Sequence, residues 1–251
     1  MLPIIIAIGL ALVVLERIIP DQKLPVVPRW WTRVILINVA QLGVVVAGGY
    51  TWDVWLKRLS FFSLPDTLPA WAGGLIAYLI LTFVYYWWHR LRHDVNFLWL
   101  AFHQVHHSPA RIETITSFYK HPLEITANSV LTGIVTYGLL GLSIEGAAWT
   151  TFFGAMAEFF YHMNIRTPHW IGWFIQRPEM HRIHHRRGYH YNNFADLPVW
   201  DMMFGTFENP KVNYNDCGFK PERELQLVKM LTFRNVNNPY KGKEGASGHQ
   251  Q

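Results

Sequence analysis

Leu68–Trp88 is a run of 21 residues without a charged side chain, and it narrows what this chain can become. A helix of about 20 apolar residues crosses the hydrocarbon core of a bilayer. The run ends in Tyr85-Tyr86-Trp87-Trp88, an aromatic belt of the kind found at membrane interfaces. Four further apolar blocks accompany it. Leu2–Leu15 is short for a span, and Ile18 and Ile19 extend it. It lacks a basic leader and a small-residue cleavage site, so it does not read as a cleaved signal peptide. Val34–Tyr50 is interrupted by Asn38 and Gln41. Leu123–Leu142 and Ala147–Tyr161 flank a glycine-containing turn and read as a hairpin that dips into the bilayer and returns; the second of them holds Glu158. Composition agrees with a membrane protein. Hydrophobic residues make up 51% and charged residues 16% of the chain, against about a quarter charged in soluble domains. The single cysteine, Cys217, excludes an intrachain disulfide and a Cys-rich metal or iron–sulfur site.

The basic residues orient the blocks. Arg17, Lys23, Arg29 and Arg33 lie between the first and second blocks, and only Lys57 and Arg58 between the second and third. Arg90, Arg92, Arg111 and Lys120 follow the third, the hairpin turn has none, and the remainder come after Tyr161. The positive-inside rule then predicts an outer N-terminus and an inner C-terminus. Net charge is +5. Because the basic residues flank apolar blocks, it reads as charge at a membrane surface rather than a nucleic-acid footprint.

Three histidine clusters stand beside these blocks. H-R-L-R-H carries His89 and His93, H-Q-V-H-H carries His103, His106 and His107, and H-R-I-H-H carries His181, His184 and His185. Positions i, i+3 and i+4 share one helix face, so each cluster can aim two or three imidazoles at one point. Neutral imidazole suits iron, copper, nickel and zinc. Any one of these residues alone has an ordinary structural reading; the joint pattern favours metal. Eight imidazoles exceed the needs of one ion and suit two ions close together. By the charge rule all three clusters fall on the cytoplasmic side.

Structural zinc takes about four ligands, often with Cys. Soluble di-iron proteins use Glu and Glu-x-x-His, which this chain replaces with His. An all-histidine iron pair suits oxygen activation and attack on an unactivated C–H bond, whereas zinc would imply hydrolysis or a structural role. A transporter would set its polar ligands within the spans, but here they lie just beyond them. A zinc hydrolase would need a Glu base such as H-E-x-x-H, which neither H-x-x-H-H box offers.

Further motifs surround the boxes. Phe118–Glu124 reads F-Y-K-H-P-L-E, Tyr161–Ile165 reads Y-H-M-N-I, and Pro178-Glu179-Met180 leads into the third box. Asn193-Phe194-Ala195 and Trp200–Thr206 (W-D-M-M-F-G-T) follow it. Together and in this order they resemble the sterol desaturase / fatty acid hydroxylase superfamily of integral membrane di-iron oxygenases, over roughly Tyr85 to Phe207. The resemblance implies an all-α integral membrane bundle of about four transmembrane helices, under a cytoplasmic helical cap that holds a histidine-rich dimetal site. It implies two iron ions, cycling between Fe2+ and Fe3+, with O2 as co-substrate and a lipid or sterol from the bilayer as substrate. The implied ligands are His89, His93, His103, His106, His107, His181, His184 and His185, with His162 as an additional single ligand. His121 matches the H-P element, as a ligand or as a structural imidazole held by the proline.

Asp201 is expected either to accept a hydrogen bond from a ligand histidine or to cap a surface helix. Glu124 is expected to support the site or to pair with Lys120. Asn193 is a further candidate beside the metals, and the family's Tyr and Gly are replaced at Phe194 and Ala195. His169 matches no motif, and His190 has a place only at an entrance or behind the ligands. With no H-P-G-G heme motif in the chain, the expected electron donor is a separate carrier such as ferredoxin or cytochrome b5 with its reductase. The organisation expected is N-terminal transmembrane helices over 1–84, a catalytic domain over 85–207 and a polar C-terminal tail over 208–251, disordered from Lys241 and including His249. Hydroxylation is the first expectation, with desaturation by the same site as the alternative. A bacterial inner membrane is favoured, or the ER membrane in a eukaryote.

Overall fold

The computed structural model describes residues 1–64, 68–189 and 191–237. His190, His249 and the tail from Lys241 lie outside the described residues. The fold is all-helical: among the described residues the only β-type pairing is an isolated bridge between Arg186 and Cys217.

Five apolar blocks become five long elements. They are α1 (Leu2–Ile18), α2 (Trp30–Tyr50), α4 (Ala70–Asp94), α6 (Pro122–Gly133) and α7 (Ile144–His162). A short α3 (Trp52–Leu56) follows α2, and a π-helical segment, Ile134–Leu139, continues α6. Two stretches, Trp30–Leu59 and Ala70–Asp94, are long and apolar enough to cross a membrane. α4 runs six residues past the uncharged stretch, so His89 and His93 ride on the last turns of that same helix. α7 begins three residues before its apolar block, because Ser143 Oγ caps it by accepting from Gly146 N at 3.1 Å.

The helices alternate in direction. Ile5 and Gly9 of α1 meet Ala155 and Phe159 of α7, and Glu16 meets Asn164, so these two run parallel. α2 runs parallel to α6, with Gln41 against Lys120 and Asp53 against Gly133. α4 and α7 also run parallel and pack backbone to backbone. A Cβ on Gly74 would stand 2.7 Å from the Gly146 carbonyl oxygen, and Thr150 Oγ1 donates to the Gly74 carbonyl at 3.2 Å. Small residues permit this approach, as they do between membrane helices. At the end remote from the histidines, the amides of Phe61, Phe62 and Leu64 donate to the carbonyls of Gly138, Leu139 and Leu140 at 2.8, 3.1 and 3.2 Å. The hairpin turn therefore reaches the same level as the loop after α3.

The other end is covered by short elements. α5 (Asn96–Leu98) and a π turn (Trp99–His103) follow α4; α8 (Pro178–His184) and α9 (Pro198–Met203) follow α7. The chain after Glu208 is polar on average, yet its described part does not trail away. Through α10 (Pro221–Glu224) and α11 (Leu227–Leu231) it packs back, burying Phe219 and Met230 against Trp30, Val34, Trp99 and Tyr119. Glu224 pairs with Arg33 at 3.2 Å. A few well-spaced apolar side chains dock this segment despite its mean polarity.

Candidate metal centre

Four parts of the fold deliver histidines to one place. α4 presents His89 and His93 one turn apart, and α7 ends on His162. The π turn ends on His103, and the turn after it supplies His106 and His107. α8 carries His181 and His184, and His185 is its C-terminal cap. The second box is thus not an α-helix. The extra residue of the π turn and the turn after it fan its three rings apart.

The rings form two groups. His89, His93, His103, His107 and His184 make the first; His106, His162, His181 and His185 make the second, with ligand-capable atoms within 4.8 Å of one another in each. The groups touch: His107 of the first stacks on His185 of the second, ring centroids 4.2 Å apart. Each H-x-x-H-H box divides between the groups, whereas its spacing suggested a single target. The second box sends His103 and His107 one way and His106 the other; the third sends His184 one way and His181 and His185 the other.

Acceptors behind the rings set the tautomers. His89 Nδ1 faces the Phe194 carbonyl at 2.7 Å, and His184 Nδ1 faces the Asn192 carbonyl at 2.8 Å. His162 Nδ1 faces the Glu158 carbonyl at 2.8 Å, one turn back on α7. His103 Nδ1 lies 3.1 Å from Glu124 Oε1. A carbonyl can only accept, so Nδ1 of His89, His162 and His184 carries the proton and Nε2 keeps its lone pair, whereas His103 Nδ1 lies between Glu124 and the Arg92 guanidinium, the latter 3.2 Å away. The Nε2 atoms of His89 and His103 are buried with no hydrogen-bond partner. In the second group His181 Nε2 lies 3.0 Å from both His162 Nε2 and His185 Nε2. One proton cannot satisfy both contacts. Two nitrogens each about 2.1 Å from one cation, at right angles, would lie about 3 Å apart. The donor set therefore fits two cations.

Burial, reinforced by neighbouring positive charge, holds the pKa of His103, His106, His107 and His181 well below the ordinary imidazole value. These rings are neutral near pH 7, the form that binds metal. Cys217 is buried elsewhere in the cap, where burial pushes its thiol up to about 11.

The carboxylates sort differently from their sequence spacing. Glu124 is fully buried against Arg92 and His103, while Lys120, its neighbour at i−4, pairs with Glu158 at 2.6 Å. Arg92, which in sequence only marked topology, is the cation that makes a buried Glu124 tolerable behind His103. Asp201 touches no histidine. Its carboxylate accepts from the amides of Phe194 and Ala195 at 2.8 and 3.0 Å and from Thr206 Oγ1 at 2.6 Å. It is buried rather than a surface cap, and burial pushes its pKa up to about 6 against these donors. Asp201 thus braces the loop whose carbonyls hold His89 and His184. Asn193, at φ 58°, ties that loop to Met180 and Glu208. Phe194 meets the imidazoles twice: its main-chain oxygen holds His89, and its ring packs against His89, His93 and His184 at centroid distances of 5.5, 5.4 and 5.4 Å.

His121 is the candidate ligand that the structure places outside both groups. Its Nδ1 accepts from Leu123 N at 3.1 Å, capping α6, and its Nε2 faces the Leu231 carbonyl at 3.3 Å. With Pro122 at the first helical position, it is spent on starting that helix. His169 is also apart, facing the Asn209 carbonyl at 3.2 Å.

An elongated cavity of about 610 Å³ reaches both groups. His89 and His103 of the first and His106 and His181 of the second line one end; Ile6, Leu10, Val39 and Leu42 of α1 and α2 line the other. Such a space admits an alkyl chain and brings it to the imidazoles.

These features define an apolar helical protein with a pair of buried imidazole groups fit for metal. The chain belongs to the fatty acid hydroxylase family, whose model matches residues 74–206. It is 33% identical over 176 residues to alkylglycerol monooxygenase of Homo sapiens, a match covering 66% of this chain and 36% of that protein. It is 30% identical over 151 residues to ornithine lipid hydroxylase OlsE of Rhizobium tropici, covering 58% and 45%. It is 26% identical over 234 residues to very-long-chain aldehyde decarbonylase GL1-4 of Oryza sativa subsp. indica, covering 84% and 35%. The matches thus span less than half of each of these relatives. No solved structure matches the chain.

Proposed function

We propose that this chain is an integral membrane di-iron oxygenase that hydroxylates a lipid, using O2 and electrons from a separate carrier. The observation that carries this reading is the joining of the two imidazole groups to an apolar cavity. His89, His93, His103, His107 and His184 would hold one iron, and His106, His162, His181 and His185 the other. Iron bound there supplies the reduction of O2 that hydroxylation requires: RH + O2 + 2e− + 2H+ gives ROH + H2O.

The chain's own residues do the rest. The apolar walls of α1 and α2 take the substrate's alkyl chain, while the cap keeps bulk water from the imidazoles. Glu124 with Arg92, and the carbonyls of Asn192 and Phe194, keep lone pairs aimed inward. Hydroxylation is preferred to desaturation because two relatives are named for oxygen insertion. About four spans, with the histidines on the cytoplasmic side, complete the reading. The basic cap suits an acidic carrier such as ferredoxin or cytochrome b5.

The test is metal analysis of protein from iron-replete cells, followed by turnover of an alkylglycerol under oxygen-18. The expected result is about two irons per chain and label in the product hydroxyl. Zinc alone, with no turnover after reconstitution with ferrous iron and a reducing system, would overturn the reading.

A further inference from the structure

The cap reaches lower along α4 than its histidines do. Trp200 Nε1 donates to Thr82 Oγ1 at 2.9 Å, and the Trp200 ring meets Phe83 edge-on at 4.9 Å. Phe204 packs on Trp87 at 4.8 Å. Thr82 precedes His89 by seven residues, about 10 Å along the helix axis, and lies inside the uncharged run. α9 therefore flanks the apolar part of α4. Its outward side chains Val199, Met202 and Met203 are 45, 37 and 63% exposed. Its one charge, Asp201, is turned inward and buried.

A second apolar element adjoins it. The turn His169–Trp173 is joined to the segment after α9 by Trp173 on Phe207, ring centroids 5.1 Å apart. Trp170, Trp173 and Phe174 are 64, 53 and 69% exposed. Across Trp170–Ile175 and Pro198–Phe207 the only charged residue is Asp201. Exposed Trp, Phe and Met in such a patch need an apolar partner.

We propose that α9 and the turn His169–Trp173 form a wedge embedded in the bilayer at the headgroup–acyl boundary, beside α4. The occupant is lipid because the patch continues the outward face of α4, where Leu79, Phe83 and Trp87 are also exposed. Tryptophan beside aliphatic side chains and an uncharged surface is the composition of interfacial segments. On this flank the cap meets lipid, not cytosol. The wedge rests on the reading of α4 as a membrane span.

Spin labels introduced by Leu79→Cys, Phe174→Cys, Met203→Cys and Val212→Cys, one at a time in the full chain, test this in phosphatidylcholine vesicles. Cys217 is buried and leaves the labelling site-specific. Oxygen partitions into lipid and a nickel chelate stays in water. The labels at 174 and 203 are expected to follow the label at 79, with an oxygen-to-nickel accessibility ratio at least threefold above that at 212. Labels at 174 and 203 that behave like 212, beside a lipid-exposed label at 79, overturn the wedge alone. A nickel-exposed label at 79 overturns the span of α4 and the wedge with it. Labels shielded from both reagents, with dipolar broadening between chains, assign the patch to a second copy and also overturn the wedge.

Discussion

The two histidine groups are built to different standards. In the first, His89, His103 and His184 each rest on an acceptor from another part of the chain: Phe194 O, Glu124 and Asn192 O. In the second, His162 leans on its own helix, and His181 is placed by its 3.0 Å contacts with His162 and His185. The buried Nδ1 atoms of His106 and His181 have no hydrogen-bond partner. Three of the five rings of the first group are held from outside, whereas in the second the contacts run mainly between the rings themselves. Iron bound as proposed should therefore be retained better in the first group, and the second should take its geometry from the ion.

The sharpest break is Glu124→Ala. It leaves the Arg92 guanidinium buried without its carboxylate and His103 without its acceptor. Removing one partner of a buried pair costs about 3–5 kcal/mol, so a large drop in thermal midpoint and loss of the first iron are expected. Glu124→Gln keeps the shape and should lose less; thermal unfolding with metal analysis separates the two. Next come His184→Ala and His181→Ala. Each should lose metal at its own group, and the contrast is expected in occupancy: His184→Ala weakens a braced site, whereas His181→Ala should empty the self-supporting one. Equal loss in both variants would show that the groups act as one unit.

Asp201→Asn loosens the loop behind His89 and His184 without touching either. Changes in the partners behind metal-binding histidines cost about 10–100-fold in affinity, and the lower end is expected at the first group, with the second unchanged, by iron titration. Metal-free protein should also depend on pH. The pKa values of His103, His106, His107 and His181 are lowered in the fold, so below about pH 6.5 the unfolded chain binds more protons than the folded one. Stability should be flat above that pH with respect to these groups, and should fall as the pH drops toward the folded values. Denaturant unfolding of iron-free protein between pH 7.5 and 5 checks the sign, and bound iron should leave the dependence at least as steep, because it keeps the folded imidazoles free of protons while the unfolded chain takes them up. Ala195→Gly is the smallest change. Ala195 gives its amide to Asp201 and a buried methyl to the cluster with Tyr86 and Phe194; only the methyl is lost, so a destabilisation of about 1 kcal/mol is expected, with iron content unchanged.

Much of this was legible in the residues, for identifiable reasons. An uncharged run such as Leu68–Trp88 announces a helix locally, and three boxes of imidazoles at i, i+3 and i+4 announce a candidate metal centre. Those patterns depend on neighbours a few positions away. His121 stayed open between ligand and structural imidazole because a histidine before proline is equally at home capping a helix, the place it takes here, and nothing nearby tells the two uses apart. Docking of the segment after Glu208 was not legible because composition averages over residues, while docking depends on a few side chains such as Phe219 and Met230.

By itself the sequence determined the helical character, the apolar blocks and nearly all the imidazoles, since each follows from short-range periodicity and chemical type. Tertiary structure alone decided the allotment of rings to two groups, the pairing of Glu124 with Arg92 rather than Lys120, and the use of loop carbonyls to hold His89 and His184. Those outcomes depend on where α4, α7, α8 and the π turn converge. Residues tens of positions apart meet there because packing, not spacing, brings them together.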